Sequence, residues 1–140
     1  MMADYTPTVQ DRLRQYRYLL REIKLLEEEL LQLDAKTQHL TAQLTGMPRG
    51  SAGADRLTDI IARKIELREI ISERAAWLHQ ERVELERYVS RVPDSLLRQI
   101  LALRYFRGLS WTAVGHALGG GNTGNSAKQI VRRWFGQGCG

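Results

Sequence analysis

Cysteine, proline and long apolar runs are scarce in this chain, and each scarcity excludes a class of protein. The single cysteine, Cys139, has no partner for an internal disulfide, which excludes a disulfide-stapled secreted domain and favours a reducing cytoplasm. Only three prolines occur, and their spacing leaves long spans that favour long helices. No apolar run approaches the roughly 20 residues that cross a membrane, and the N-terminus lacks the apolar region of a signal peptide. We therefore expect a cytoplasmic, helical protein with no membrane partner.

Residue sets that carry enzyme chemistry are also missing. His39, His79 and His116 are isolated from one another and from Cys139, whereas metal sites need clustered ligands. The segment GGGNTG, residues 119–124, matches a dinucleotide-binding glycine pattern, but no strand is predicted before it, as that fingerprint requires. No Ser/His/Asp set and no isolated acid pair stands out in the sequence. The sequence predicts no enzyme activity, no metal and no cofactor.

The net charge of +5 is concentrated at one end of the chain. Residues 93–140 hold six of the 21 lysines and arginines but only one of the 16 acids, Asp94. The remaining residues, 1–92, are therefore neutral as a segment. Such asymmetry predicts a polyanionic partner for the C-terminal segment.

Residues 107–135 begin with a short predicted helix that leads into a glycine-rich turn. Ser110 is a favourable N-cap, because its hydroxyl accepts from an unpartnered backbone N–H of the first turn. One face of the helix is formed by Trp111, Val114, Gly115 and Leu118. Gly119 follows, where a C-cap favours glycine. Gly115 costs about 1 kcal/mol of helix stability relative to alanine, so we expect it to allow a close helix crossing.

The next predicted helix begins near Asn125 or Ser126, and Ser126 has capping-box spacing to Gln129. Its apolar stripe is Ala127, Ile130, Val131 and Trp134, and its opposite arc is Lys128, Gln129, Arg132 and Arg133. An ordinary solvated face usually mixes both signs of charge, whereas this arc has no acid. Arg and Lys read guanine and Gln reads adenine in the major groove. The predicted DNA-binding residues are Ser126, Lys128, Gln129, Arg132 and Arg133.

The neutral segment has the heptad pattern of coiled coils. From Val9 to Met47, leucine recurs every seven residues at Leu19, Leu26, Leu33 and Leu40. A predicted loop over residues 46–55 precedes a second heptad segment, Arg56 to Val92. Two long helices joined by a short loop predict an antiparallel hairpin. Arg74 and Glu81 interrupt the second stripe, and the expected register places Glu27 opposite Arg74 as an ion pair.

Pro93 is expected to end the second helix, since the residue before proline is driven from the α region. Asp94 then caps a third helix, Ser95 to Phe106. With the two short helices this forms a trihelical helix-turn-helix unit. The predicted fold is therefore all-α, with a long antiparallel, coiled-coil-like hairpin in residues 1–92 and a helix-turn-helix domain in residues 93–140.

The stretch LLRQILALRYFRGLSWTAVGHALGGG, residues 96–121, resembles the region-4 helix-turn-helix of sigma-70-type factors. The whole chain resembles the small sigma-like regulators of phages and prophages of Gram-positive bacteria, a group that includes autolysin-regulator-like and late-gene activator proteins. The likeness extends to an MPRG…D hinge, Met47 to Gly50 and Asp55. It departs at Gly115, where alanine is common, and in the turn, which Gly120 to Gly124 lengthen. Nothing resembles a region that binds the −10 element, so the chain is not expected to initiate transcription alone.

The resemblance implies a cytoplasmic transcription regulator that binds promoter DNA, with host RNA polymerase as a further partner. It assigns Lys128, Gln129, Arg132 and Arg133 to the recognition helix. The hairpin is then expected to form a homodimer or to dock on polymerase. Two alternatives stay open: a DNA-packaging protein like a small terminase subunit, which forms rings of many copies, and a structural coiled-coil adaptor, which has no DNA affinity.

Overall fold

The computed structural model describes residues 7–44 and 52–136, and every regular element within them is helical. The elements are α1 (Val9–Leu44), α2 (Ala52–Ser90), α3 (Ser95–Leu101), a π segment (Ala102–Phe106), α4 (Trp111–Leu118) and α5 (Gly124–Gly136). The prediction of an all-α chain is confirmed for these residues. Most of the predicted 46–55 loop, with Met47 of the hinge, and Cys139 lie outside the described residues.

The two long helices differ from their predicted bounds mainly at the start of α2. The sequence assigned residues 52–55 to the loop, but these residues form the first turn of α2, and Asp55 lies within that turn. The loop prediction is therefore wrong over these four positions. Ala52 and Ala54 are strong helix formers, and a carboxylate in the first turn interacts favourably with the positive end of the helix dipole. In the described ranges, neither long helix, nor any other, has the apolar length to cross a membrane.

The junction after α2 follows the predicted chemistry. The helix ends at Ser90, shortly before Pro93, and the Asp94 Oδ1 accepts a hydrogen bond from the Leu96 backbone N–H at 2.9 Å. The predicted helix Ser95 to Phe106 is present, although its second half is a π segment in which the Arg107 N–H donates to the Ala102 carbonyl at 3.0 Å. This wider turn contains Arg104 and Tyr105. π segments occur often at functional sites.

The described chain divides into two compact units, and the first contains residues up to Arg21 and from Leu78 onward. Its core brings together Leu13 and Tyr16 of α1, Leu85 of α2 and the buried side chains of the helices after Pro93. The rings of Tyr16 and Phe106 meet edge to face, with centroids 5.5 Å apart. Burial of one such large apolar side chain contributes about 1.5–3 kcal/mol. Residues 92 and 93, where the sequence placed a domain boundary, both lie in this unit.

The second unit, Glu22–Trp77, contains the C-terminal part of α1 and the N-terminal part of α2. Ion pairs join Glu22 to Arg74 at 3.4 Å and Asp34 to Lys64 at 2.8 Å, so the two helices run in opposite directions in this unit. The predicted pairing of Glu27 with Arg74 is wrong, because Arg74 pairs with Glu22 and Glu27 is exposed. Since α2 begins before its predicted start, the two helices are shifted relative to the expected register.

Candidate nucleic-acid interface

Two glycines allow α4 and α5 to cross closely. The N-cap of α4 is Ser110, whose hydroxyl accepts from the Ala113 backbone N–H at 3.2 Å, as predicted. A Cβ on Gly115 would lie 2.5 Å from the Gly124 backbone nitrogen, and a Cβ on Gly124 would lie 2.6 Å from the Trp111 carbonyl oxygen. The predicted role of Gly115 as a crossing point is confirmed. Gly124 makes a second close approach in the same crossing, against the backbone of Trp111, although the sequence assigned it to the turn.

The turn between these helices depends on glycine for its backbone shape. Gly119, Gly120 and Gly121 have φ values of 66°, 59° and 80°, a region that other L-residues rarely adopt. The Asn122 side-chain nitrogen donates to the Gly119 carbonyl at 2.8 Å and closes the turn. The glycine-rich segment is therefore a shaped connection that sets where α5 begins.

The start of α5 is fixed by a capping box that differs from the predicted one. The Thr123 Oγ1 accepts from the Ser126 backbone N–H at 3.0 Å, and the Ser126 Oγ accepts from the Thr123 N–H at 2.9 Å. The predicted box between Ser126 and Gln129 is wrong, and α5 starts at Gly124 instead of near Asn125 or Ser126. The reason is that Thr123, inside the assumed turn, is itself a good cap.

The inner face of α5 is held by the core and by one polar contact. Ala127 and Val131 are buried, with 0% and 2% of their surface exposed. The Trp134 Nε1–H donates to the Tyr88 hydroxyl of α2 at 3.0 Å. The apolar stripe predicted for this helix thus faces the core, so the helix cannot rotate about its axis without exposing it.

The outer face of α5 presents four of the five predicted DNA-binding side chains to solvent: Lys128, Gln129, Arg132 and Arg133 are all exposed. Ser126, the fifth, is half-buried. Its hydroxyl donates to the Thr123 carbonyl at 2.9 Å, so its one hydrogen is already used within the cap. A DNA-binding role for all five residues stays a prediction.

Beside this exposed arc lies a cleft of about 350 Å³ in the first compact unit. Its walls come from α1, the π segment, α4 and α5, and five of its lining residues are cationic: Arg14, Arg17, Arg104, Lys128 and Arg132. Among the described residues that line it, none is acidic. Aromatic side chains, including Tyr18 and Trp111, complete the walls. We call this feature the basic cleft.

Arg104 lines the basic cleft, and the groups that hold its side chain are neutral. One terminal nitrogen donates to the Leu109 carbonyl at 3.1 Å, and the guanidinium lies 4.5 Å from the centre of the Trp111 ring. Its buried Nε has no hydrogen-bond partner, and the same is true of the Arg17 Nε. Burial and then repulsion from Arg17 lower the pKa of Arg104 below its ordinary value. The cleft therefore holds cationic charge that the described chain does not neutralise.

Arg12 lies on the same helix as Arg14 and Arg17, but unlike them it pairs with acids. The Arg12 Nε donates to Glu81 at 2.6 Å, and a terminal nitrogen of Arg12 contacts Glu84. The hydrogen bond to Glu81 raises the pKa of Arg12 further above its ordinary value. Acids of α2 thus match one arginine of this stretch, whereas Arg14 and Arg17 line a cleft without acids.

Sequence reasoning missed the α1 side of this site. Residues 12–21 contain four arginines and no acid, but the acids elsewhere in residues 1–92 cancel that charge in a segment total. A charge count over a shorter window would have drawn attention to the start of α1.

Comparison of the chain with protein-family models, with curated proteins and with solved structures finds no match. The site is therefore defined by its geometry alone. It consists of the basic cleft, which has no acid among its described lining residues, and the exposed arc of α5, whose other face is buried.

Proposed function

We propose that this protein is a cytoplasmic, non-enzymatic transcription regulator of phage or prophage genes that binds double-stranded DNA through α5. In this proposal α1 and α2 form a helical hairpin, and the helices after Pro93 form a helix-turn-helix. The single observation that carries it is the exposed arc of α5, which combines three cations and an amide on a helix whose opposite face is buried. The phage context rests on the sigma-like resemblance of residues 96–121.

The side chains on this arc suit groove recognition. Arg132 and Arg133 have the planar guanidinium that pairs bidentately with guanine or with phosphate, and Gln129 has the amide that pairs with adenine. Lys128 supplies a further charge for the backbone. The crossing at Gly115 and Gly124 brings α4 close to the start of α5. Such a close pair of short helices is the arrangement in which a helix-turn-helix projects its second helix into the major groove.

One small DNA-binding module binds weakly by itself, so a second contact with DNA or with a partner protein is needed for regulation. A module that makes about four phosphate contacts has a log–log salt slope near −4, and its non-specific Kd is roughly 10⁻⁴ to 10⁻⁶ M. Dimerisation through the hairpin, or contact with RNA polymerase, would raise the effective concentration of the module at its site. Large apolar side chains exposed in the Glu22–Trp77 unit support a partner surface there: Leu25, Leu31, Ile61 and Ile65.

The test is selection of bound duplexes from a random DNA pool at physiological salt, with the full chain and with an Arg132→Ala/Arg133→Ala variant. An Arg87→Ala/Arg91→Ala variant is the matched control, because it removes the same charge from two exposed residues, Arg87 near the end of α2 and Arg91 just after it. We expect an enriched sequence with the parent and the control, and its loss with the α5 variant while the helical circular dichroism is unchanged.

Three other results would overturn the proposal in different ways. Binding without an enriched sequence, together with a ring of many copies in solution, would favour a packaging protein. Absence of binding by the parent would favour a structural adaptor. Equal affinity of the parent and the α5 variant would remove α5 from the DNA interface.

A further inference from the structure

We infer that the basic cleft is a phosphate-binding site and that its principal occupant is a backbone phosphate of the DNA read by α5. The inference rests on the proposed function and deepens it, because it extends the interface to α1, which lies outside the helix-turn-helix. Arg14 and Arg17 are then DNA-contacting residues.

The charge balance of the cleft is the first argument. Some arginines elsewhere in the described chain pair with acids, as Arg12 does with Glu81 and Arg63 with Glu29 at 3.1 Å. The basic cleft instead collects five cations from three elements, with no acid among its described lining residues. Arg17 and Arg104 are the half-buried members of this set, and partial burial weakens the solvent screening of the repulsion between them, which a bound anion would relieve.

The hydrogen-bonding capacity of the cleft is the second argument. The guanidinium groups of Arg17 and Arg104 each retain a buried Nε that lacks a partner, and Arg104 uses one terminal nitrogen on the Leu109 carbonyl. The folded chain thus leaves donors of both guanidiniums unused. Phosphate oxygens accept charge-assisted hydrogen bonds from several guanidinium nitrogens at once, which suits a cleft lined by more than one arginine.

The position of the cleft identifies the source of the phosphate. Lys128 and Arg132 belong both to the basic cleft and to the exposed arc of α5, and they lie about one helical turn apart. Gln129 and Arg133 are the next residues round the helix, outside the cleft. When those two side chains face base edges, the cleft faces the sugar-phosphate strand at the edge of the groove. A volume of about 350 Å³ also admits a free phosphorylated compound, so the experiment must separate the two sources.

The first arm measures DNA affinity against salt for the parent, Arg14→Gln and Arg17→Gln, with Arg91→Gln as the control for loss of one exposed arginine outside the cleft. Each cleft variant is expected to reduce the log–log salt slope by about one and to weaken binding to all sequences alike. The control is expected to leave the slope close to that of the parent. Parent-like slopes in both cleft variants, with DNA still bound by the parent, would overturn the inference while leaving the proposed function intact.

The second arm titrates the same proteins with inorganic pyrophosphate at constant ionic strength and follows the melting temperature. Occupancy of the cleft is expected to raise the melting temperature of the parent and of Arg91→Gln, and to raise that of Arg17→Gln less. A pyrophosphate effect in a parent that binds no DNA would overturn both the DNA source and the proposed function, and would leave a site for free phosphate compounds. If the cleft variants match Arg91→Gln both in salt slope and in the melting-temperature response to pyrophosphate, the cleft is not a phosphate site.

Discussion

The backbone of Gly124 in α5 occupies the space that a side chain on Gly115 of α4 would need. A Cβ on Gly115 would lie 2.5 Å from the Gly124 nitrogen, which is closer than Cβ atoms approach other atoms in proteins. The contact is between backbones, so no flexible side chain can move aside. The spacing between the two short helices, and with it the position of the exposed arc of α5, depends on the absence of both side chains.

Gly115→Ala is therefore expected to destabilise the protein. Alanine favours the helix by about 1 kcal/mol, but overpacking at a closed contact costs about 1–3 kcal/mol. We expect a net loss of free energy of unfolding in urea. Ala117→Gly, at an exposed position of the same helix, measures the propensity contribution separately. A stabilised Gly115→Ala protein would show that the two helices are not in close contact.

The capping box at the start of α5 gives a second prediction. Thr123→Ala removes the hydroxyl that accepts from the Ser126 N–H, and loss of such a cap costs about 0.5–2 kcal/mol. Gln129→Ala removes an exposed side chain from the helix interior and is expected to change stability by less than about 0.5 kcal/mol. Urea unfolding followed by circular dichroism compares the two variants. If Gln129→Ala lost more free energy of unfolding than Thr123→Ala, the capping box would be the predicted one between Ser126 and Gln129.

The parts of the fold that could be predicted from sequence are those set by periodicity and local caps. The stripe of α5, the caps at Ser110 and Asp94 and the long proline-free helices all follow from neighbouring residues. The helix register could not be predicted, because it depends on where α2 begins, and Ala52 extends that helix into the assumed loop.

The charges that interrupt the heptads illustrate the same limit. Glu81 looked like a defect in the second heptad stripe, but it pairs with Arg12 of α1 at 2.6 Å. The basic cleft was missed for a related reason: Arg17 and Arg104 are distant in sequence, and only packing of the first unit brings them together. Sequence periodicity describes one helix at a time, whereas both features involve two.

Asp34 gives a prediction for the pH dependence of stability. Its hydrogen bond with Lys64 lowers the pKa of the Asp34 carboxyl in the folded state. A depressed carboxyl pKa stabilises the fold above the unfolded value of about 3.9, and this contribution is lost as the pH falls through the lower folded pKa. Asp34→Asn should therefore melt below the parent at pH 6, and the difference should shrink at pH 2. The matched control is Asp59→Asn, an exposed position of α2. A difference that persists unchanged at pH 2 would contradict the ion pair.

Arg17 and Arg104 give the last prediction, which concerns salt. Burial and then repulsion from Arg17 lower the pKa of Arg104, and that repulsion destabilises the folded protein when screening is weak. Raising chloride from about 10 mM to about 1 M shortens the screening length from about 30 Å to about 3 Å. The parent should gain stability over this range relative to Arg17→Gln, by about 1 kcal/mol or less, since the groups are partly exposed.

Packing lost with the arginine stem is the same at both salt concentrations, so the difference in salt response isolates the charge effect. Arg91→Gln should respond to salt as the parent does, and an identical response from Arg17→Gln would mean that an acid outside the cleft lining already neutralises this charge.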